Sequence, residues 1–166
     1  MNENESQRSK TENELFWSLH SDMRTHARHA EMLRSNAVNY VLVIATALIA
    51  IILSDRKVDF SESLLGLTVV IVGMFGLIFV ASYTELYQRN RRRAERIRRL
   101  IDNRVFPNSA TSLTKIIGEA DVDHEATPLY LWSRRITGSS HRIWFALPAT
   151  VIVVGLTLFV TSLNAR

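Results

Sequence analysis

Residues 63–84 read SLLGLTVVIVGMFGLIFVASYT, twenty-two positions without one charged side chain. A helix rises about 1.5 Å per residue, so a run of this length covers the roughly 30 Å of hydrocarbon in a bilayer. Tyr83 falls where an aromatic ring can sit at headgroup level. Upstream, residues 35–54 (SNAVNYVLVIATALIAIILS) are equally free of charge, and downstream so are residues 143–165 (IWFALPATVIVVGLTLFVTSLNA). Trp144 stands near the start of this third run, and Pro148 is expected to kink its first turns. The 47% hydrophobic content is ordinary for a soluble protein, but it is gathered into three blocks with the charges between them. The fold class expected is therefore all-α and integral to a membrane, with spans at residues 36–54, 64–84 and 143–163.

Basic residues flanking spans are retained on the cytoplasmic side. Five lie in residues 1–36 and twelve in residues 84–142, against two in the short connection (Arg56, Lys57) and one at Arg166. The expected topology has the N-terminus inside, residues 55–63 as an external loop and the C-terminus outside. No apolar stretch precedes residue 35, so the first span itself is expected to direct insertion rather than a cleaved leader. The absence of cysteine excludes disulfides, zinc-thiolate sites, iron–sulfur clusters and a Cys nucleophile.

Residues 1–10 read as a polar, disordered tail, and Thr11 with Glu14 forms a capping box that starts an amphipathic cytoplasmic helix over residues 11–35. Its apolar seam, Phe16, Leu19, Met23, His26, Ala30 and Leu33, follows the 3-4 spacing of a coiled-coil face. Asn36 and Asn39 are the only candidates for a bend before the first span. After the second span the chain continues without Gly or Pro through residues 85–106, so that helix is expected to extend into the cytoplasm. Leu86, Asn90, Ala94, Ile97 and Ile101 share one side, and Arg89, Arg92, Arg93, Arg96 and Arg99 crowd another. Pairs at (i, i+4) are expected between Glu85 and Arg89, Glu95 and Arg99, and Arg98 and Asp102. The two apolar stripes have each other as natural partners, which predicts a short antiparallel helix pair.

The rest of residues 85–142 reads as a basic helix ended by Pro107, a short helical turn over 111–117 stopped by Gly118, and an acidic loop (Glu119, Asp121, Asp123, His124, Glu125). Thr127 and Pro128 are suited to the N-cap and first position of a helix carrying Leu129, Tyr130, Leu131 and Trp132. With Arg134 and Arg135 in its last turn, that segment looks like an interfacial helix leading through Gly138 into the third span.

The arginine run would suit nucleic acid in a soluble protein. Beside a membrane, cytoplasmic retention and attraction to anionic lipid explain the same residues and are preferred. His20, His26 and His29 with Asp22 and Met23 raise a metal hypothesis, but no second histidine pair completes a site, and the acidic loop lacks the ligand order of a calcium loop. No metal or cofactor is expected. No ionisable group lies within the spans, which disfavours pumps, proton-coupled carriers and intramembrane proteases. Gly66, Gly73 and Gly76 in the second span, with Ala45, Ala47, Ala50 and Gly155 in the others, permit close helix packing within or between chains.

An amphipathic His/Arg-bearing helix leading into a two-span hairpin, followed by SYTELYQRNRRRAERIRRLIDN, resembles the SLATT group of small bacterial membrane proteins over residues 15–104. The third span lies outside that two-span plan. The resemblance implies a membrane-disrupting or pore-forming effector of a bacterial conflict system, at the inner membrane and beside a nucleotide-signalling partner. Two functions follow as expectations: a non-enzymatic, self-associating membrane effector, and a membrane-anchored adaptor recruiting a protein or anionic ligand to the arginine helix. An enzyme is disfavoured because no Ser/His/Asp, metal or phosphate-cradle pattern is present. The partners expected are a bilayer with anionic lipids, further copies of the chain and a cytoplasmic protein.

Overall fold

The structure, a computed structural model, describes residues 3–54, 60–107, 112–137 and 140–164. It is all-helical over these residues: α1 (Glu3–Ser54), α2 (Phe60–Val105), α3 (Leu113–Glu125), α4 (Pro128–Thr137) and α5 (Ser140–Asn164). Three of them, α1, α2 and α5, contain windows long and apolar enough to cross a membrane. The chain divides into two compact units, one of residues 1–30 and 85–136, the other of residues 31–84 and 137–166.

The second unit is a three-helix bundle. Its core is Val41, Ala45, Val69 and Val151, flanked by Leu42, Leu48, Ile49 and Val72. Only 22%, 33% and 17% of the three apolar windows is buried, so most of each faces outward although nearly every side chain there is hydrocarbon. Val43, Leu53, Phe75, Ile78 and Val153 are all more than half exposed. A surface of this kind is a liability in water and suits lipid. The hydroxyls agree: Thr68, Ser82, Thr150 and Thr157 each donate to the carbonyl four residues back at 2.9 Å. Each thus satisfies itself within its own helix and needs no water.

Glycine sets the spacing between α2 and α5. A Cβ on Gly66 would lie 2.9 Å from the Phe159 backbone nitrogen, and one on Gly155 would lie 2.8 Å from that of Val70. Gly73 meets Ile152 and the Pro148 carbonyl, and Gly76 meets the Pro148 ring and Val41. Gly66, Gly73 and Gly76 therefore pack within the chain, against α5 and, at Gly76, α1. Pro148 lies inside α5 and is fully buried in this contact.

The first unit pairs the N-terminal part of α1 with the C-terminal part of α2 in antiparallel fashion. Glu12 meets Arg104, Arg104 also lies over the Phe16 ring at 5.8 Å, and His20 feels Arg98. Ala27 and Ala30 on α1 and Asn90, Ala94 and Ile101 on α2 are buried, with Phe16, His20, Met23, Leu86 and Ile97 half-buried. In the other unit Leu33 is half-buried too.

Several boundaries differ from the sequence expectation. Helix α1 begins at Glu3, within the expected tail, and the Thr11 hydroxyl donates to Gln7 O at 3.0 Å inside the helix, so it is not a cap. Neither Asn36 nor Asn39 interrupts it. The buried face of α1 runs through positions 16, 20, 23, 27 and 30. It keeps the heptad period but replaces Leu19 and His26 by their neighbours. Leu19 is 41% exposed, and His26 is exposed beside Asp22 at 3.5 Å. Turning small Ala27 inward lets the helices approach while the polar imidazole stays in water. Helix α3 runs through Gly118 to Glu125, so the acidic stretch is helix rather than loop. Of the expected external loop 55–63, residues 55–59 lie outside the described residues, as do Gly138 and Arg166; residues 60–63 already belong to α2.

Candidate anion-binding site

The C-terminal part of α2 is held on one side by the helix pair, and this fixes where its arginines point. With Asn90, Ala94 and Ile101 turned inward, Arg89, Arg92, Arg93 and Arg96 fall on the open side at i, i+3, i+4 and i+7. All four are exposed, and with Glu85 and Gln88 they line an opening of about 260 Å³. None of the four has an acidic partner within 4 Å among the described residues. Like charges at (i, i+4), here Arg89 with Arg93 and Arg92 with Arg96, destabilise a helix by a few tenths of a kcal/mol each. An anion brought to this face removes that repulsion.

Two other basic residues of the segment are paired with carboxylates. Arg91 pairs with Glu95 at 3.1 Å, where Glu95 had been expected to reach Arg99. Arg104 donates to Glu12 at 2.6 Å, and its hydrogen bond and charge hold the Glu12 carboxyl below the usual carboxylate range. Arg98 is half-buried. Arg99, although exposed, parts from the other four and lines a separate opening of about 400 Å³ with Asp102, Asn103, Phe106, Ser112 and Thr114.

Asp102 has a role that sequence reasoning missed. Its buried carboxylate accepts the Leu113 N–H at 2.9 Å, the Thr114 N–H at 2.7 Å and the Thr114 hydroxyl, which gives α3 a cap supplied from α2. Ser112 adds the local cap, accepting from Lys115 N at 3.2 Å. Burial opposes ionisation of Asp102, but the donors from Thr114 and Leu113, with Arg98 nearby, outweigh it and lower the pKa. This occupation explains why the carboxylate is not the simple (i, i+4) partner expected for Arg98. The spacing from Asp102 to Leu113 carries no periodic signal that could have revealed it.

Arg34 was also missed. In the sequence it is the last charge before the first span, and its side chain is 3% exposed. It donates to Thr84 Oγ1 at 3.3 Å, lies 3.6 Å from Glu31 and stacks over the Trp144 ring at 4.9 Å. One guanidinium thus touches α1, α2 and α5 at the same end of the bundle. The histidines do not assemble: His20 is half-buried, His26 and His29 are exposed. Burial, with Arg24 and Arg98 nearby, holds the His20 imidazole below its ordinary pKa.

No known protein family, curated protein or solved structure matches the chain. The functional reading therefore rests on the arginine face and the helices that present it.

Proposed function

We propose that this is a non-enzymatic, multi-pass protein of the bacterial plasma (inner) membrane that presents Arg89, Arg92, Arg93 and Arg96 at the cytoplasmic surface to recruit an anionic ligand or protein. The observation that carries this is the outward face of four arginines without a described acidic partner, at an opening of about 260 Å³. Planar guanidinium groups at this spacing suit bidentate contact with phosphate-type oxygens. The chain in zwitterionic nanodiscs should bind inorganic pyrophosphate, replacement of all four by Glu should abolish binding, and replacement by Lys should weaken it while leaving insertion intact. Pyrophosphate binding that survives the Glu replacement overturns the reading. If only added anionic lipid engages the face, and Lys serves as well as Arg, the arginines are a lipid anchor and nothing more.

The orientation in this proposal follows the excess of basic residues on the segments 1–36 and 84–142. A reporter fused after residue 166 should signal the external side, and one inserted near Asn108 the cytoplasm. The reverse pair of signals inverts the topology and removes the arginines from the cytoplasm.

A second reading, a self-associating, membrane-perturbing effector, is favoured by a different observation. An apolar groove of about 480 Å³ runs along the bundle between α1 and α2, lined by Ala37, Tyr40, Ile44, Phe75, Phe79 and Tyr83 among others. Since the glycines of α2 are used against α5 and α1, this groove, rather than a glycine stripe, is where a second copy would dock. Disulfides between copies carrying Phe79→Cys, together with dye release from vesicles, would support it. A monomer that leaves vesicles sealed would sink it.

A further inference from the structure

Helix α4 has ten residues, PLYLWSRRIT, and carries three large apolar side chains in the open: Leu129 at 75% exposure, Leu131 at 56% and Trp132 at 64%. Leu131 projects apart from the other two, toward the side of Arg134, and the side that carries Tyr130 is tied down. Thr127 Oγ1 donates to His124 O at 2.8 Å and accepts from Tyr130 N at 3.4 Å, which fixes the turn out of α3. The Tyr130 hydroxyl donates to Glu125 at 3.1 Å, its ring meets His124 edge-on at 5.3 Å, and Arg134 donates to the same hydroxyl at 3.4 Å. Leu129 and Trp132, three positions apart on a helix of about 3.6 residues per turn, project within about 60° of each other, whereas Arg134 points to the far side. Arg135 flanks the apolar side and is exposed.

What covers this face is decided by the chain itself. Five residues after Thr137 comes Arg142, and the uncharged run of α5 starts at the next residue. At a maximum of about 3.6 Å per residue, the end of α4 stays within about 18 Å of that point however the connection runs. We propose that α4 lies in the membrane–water interface, with Leu129 and Trp132 at the acyl-chain boundary and Arg135 reaching the phosphates of an anionic leaflet. The inference rests on reading α5 as a membrane span and is independent of what the arginine face of α2 binds. Indole is the side chain best suited to that depth, and an arginine beside it keeps its charge in the headgroups while its stem lies along the apolar surface. Helix α4 then sets the height of α3 and its acidic residues above the bilayer.

The cysteine-free chain permits a direct test on the full-length protein. Single cysteines at Leu129, Trp132, Arg134 and Val153 are spin-labelled, and the chain is placed in nanodiscs of phosphatidylcholine with and without phosphatidylglycerol. Accessibility to oxygen and to a water-soluble nickel chelate is then measured. Labels at 129 and 132 should be rich in oxygen and severalfold less accessible to nickel than the label at 134, with the contrast larger when phosphatidylglycerol is present. The label at 153, in the middle of α5, is the reference for a membrane span. If 129 and 132 are as open to nickel as 134 while 153 is lipid-embedded, the interfacial placement is overturned and the span stands. If 153 is itself open to nickel, the span reading fails and takes the inference with it. Shielding of 129 and 132 from both reagents, with spin–spin broadening, would show a second copy on this face and also overturn the proposal.

Discussion

In the bundle of residues 31–84 and 137–166, Gly66 and Gly155 let α2 and α5 approach until backbone meets backbone, and the surrounding apolar side chains face outward. In the unit of residues 1–30 and 85–136 the buried residues are small or polar apart from Ile101, and polar contacts add to them: Glu12 with Arg104, and Asp102 on the start of α3. On the proposal that the apolar bundle lies in lipid and the other unit in water, the difference follows from those surroundings. Lipid offers no hydrophobic drive for helix association, so contact must come from close fit. Water supplies that drive but competes for every charge, so an ion pair there matters mainly where it is partly buried or closes a helix end.

The largest test of this contrast is Gly155→Ala. The added Cβ would meet Val70 N at 2.8 Å and the Val69 and Val70 side chains at 3.0 and 2.9 Å. Backbone cannot give as a flexible side chain can, so α5 must shift, at a cost of about 1–3 kcal/mol. Unfolding in mixed detergent should move accordingly, while hydrogen exchange over residues 12–30 and 86–105 stays as in the parent. An unchanged transition would mean that the glycines do not set the spacing of α2 and α5.

Of comparable size, but confined to one short helix, is Asp102→Ala, which strips α3 of the carboxylate that holds Leu113 and Thr114. Leaving these donors without their partner should cost about 1–3 kcal/mol, read as faster hydrogen exchange over residues 112–125. The effect has a pH signature with a definite sign. The folded-state pKa of Asp102 is depressed, so its contribution is fully present above the unfolded value of about 3.9 and is lost as pH falls through the lower, folded value. Exchange in α3 should therefore quicken on acidification below about pH 4 in the parent and show no such step in Asp102→Asn. A step of equal size in Asp102→Asn would assign the acid response to other carboxylates.

The contrast also explains what could be read without coordinates. Three uncharged runs of at least twenty residues announce three helices long enough for a bilayer, because no side-chain detail is needed to see them. The α2 stripe of Asn90, Ala94 and Ile101 is legible for the same reason: periodicity is a property of the chain alone. On α1 the period is visible but its phase is not. Leu19 and His20, or His26 and Ala27, give the same spacing, and only the fit against α2 selects His20 and Ala27. The Asp102 cap, the Arg34 contacts with Thr84 and Trp144, and the parting of Arg99 from the other arginines join residues through tertiary geometry, to which no local pattern points. Gly118 misled for the opposite reason, since a glycine near a charged stretch looks like a helix stop.

That misreading yields the smallest and most easily measured effect. Gly118 lies inside α3, and a Cβ there would meet nothing within 4 Å. It is the converse of Gly155, a glycine without a packing role, whose backbone freedom is simply lost when the helix forms. Gly118→Ala should therefore stabilise α3 by about 0.5–1 kcal/mol, seen as slower exchange over residues 113–125 and no change elsewhere. Combined with Asp102→Ala, the alanine should recover part of the lost protection, because helix propensity and the cap act at separate points of the same helix. If Gly118→Ala instead speeds exchange, some contact needs that glycine's missing side chain, and α3 is not the open helix described above. Gly118→Ala and Gly155→Ala, the same chemical change in the two units, are expected to carry opposite signs.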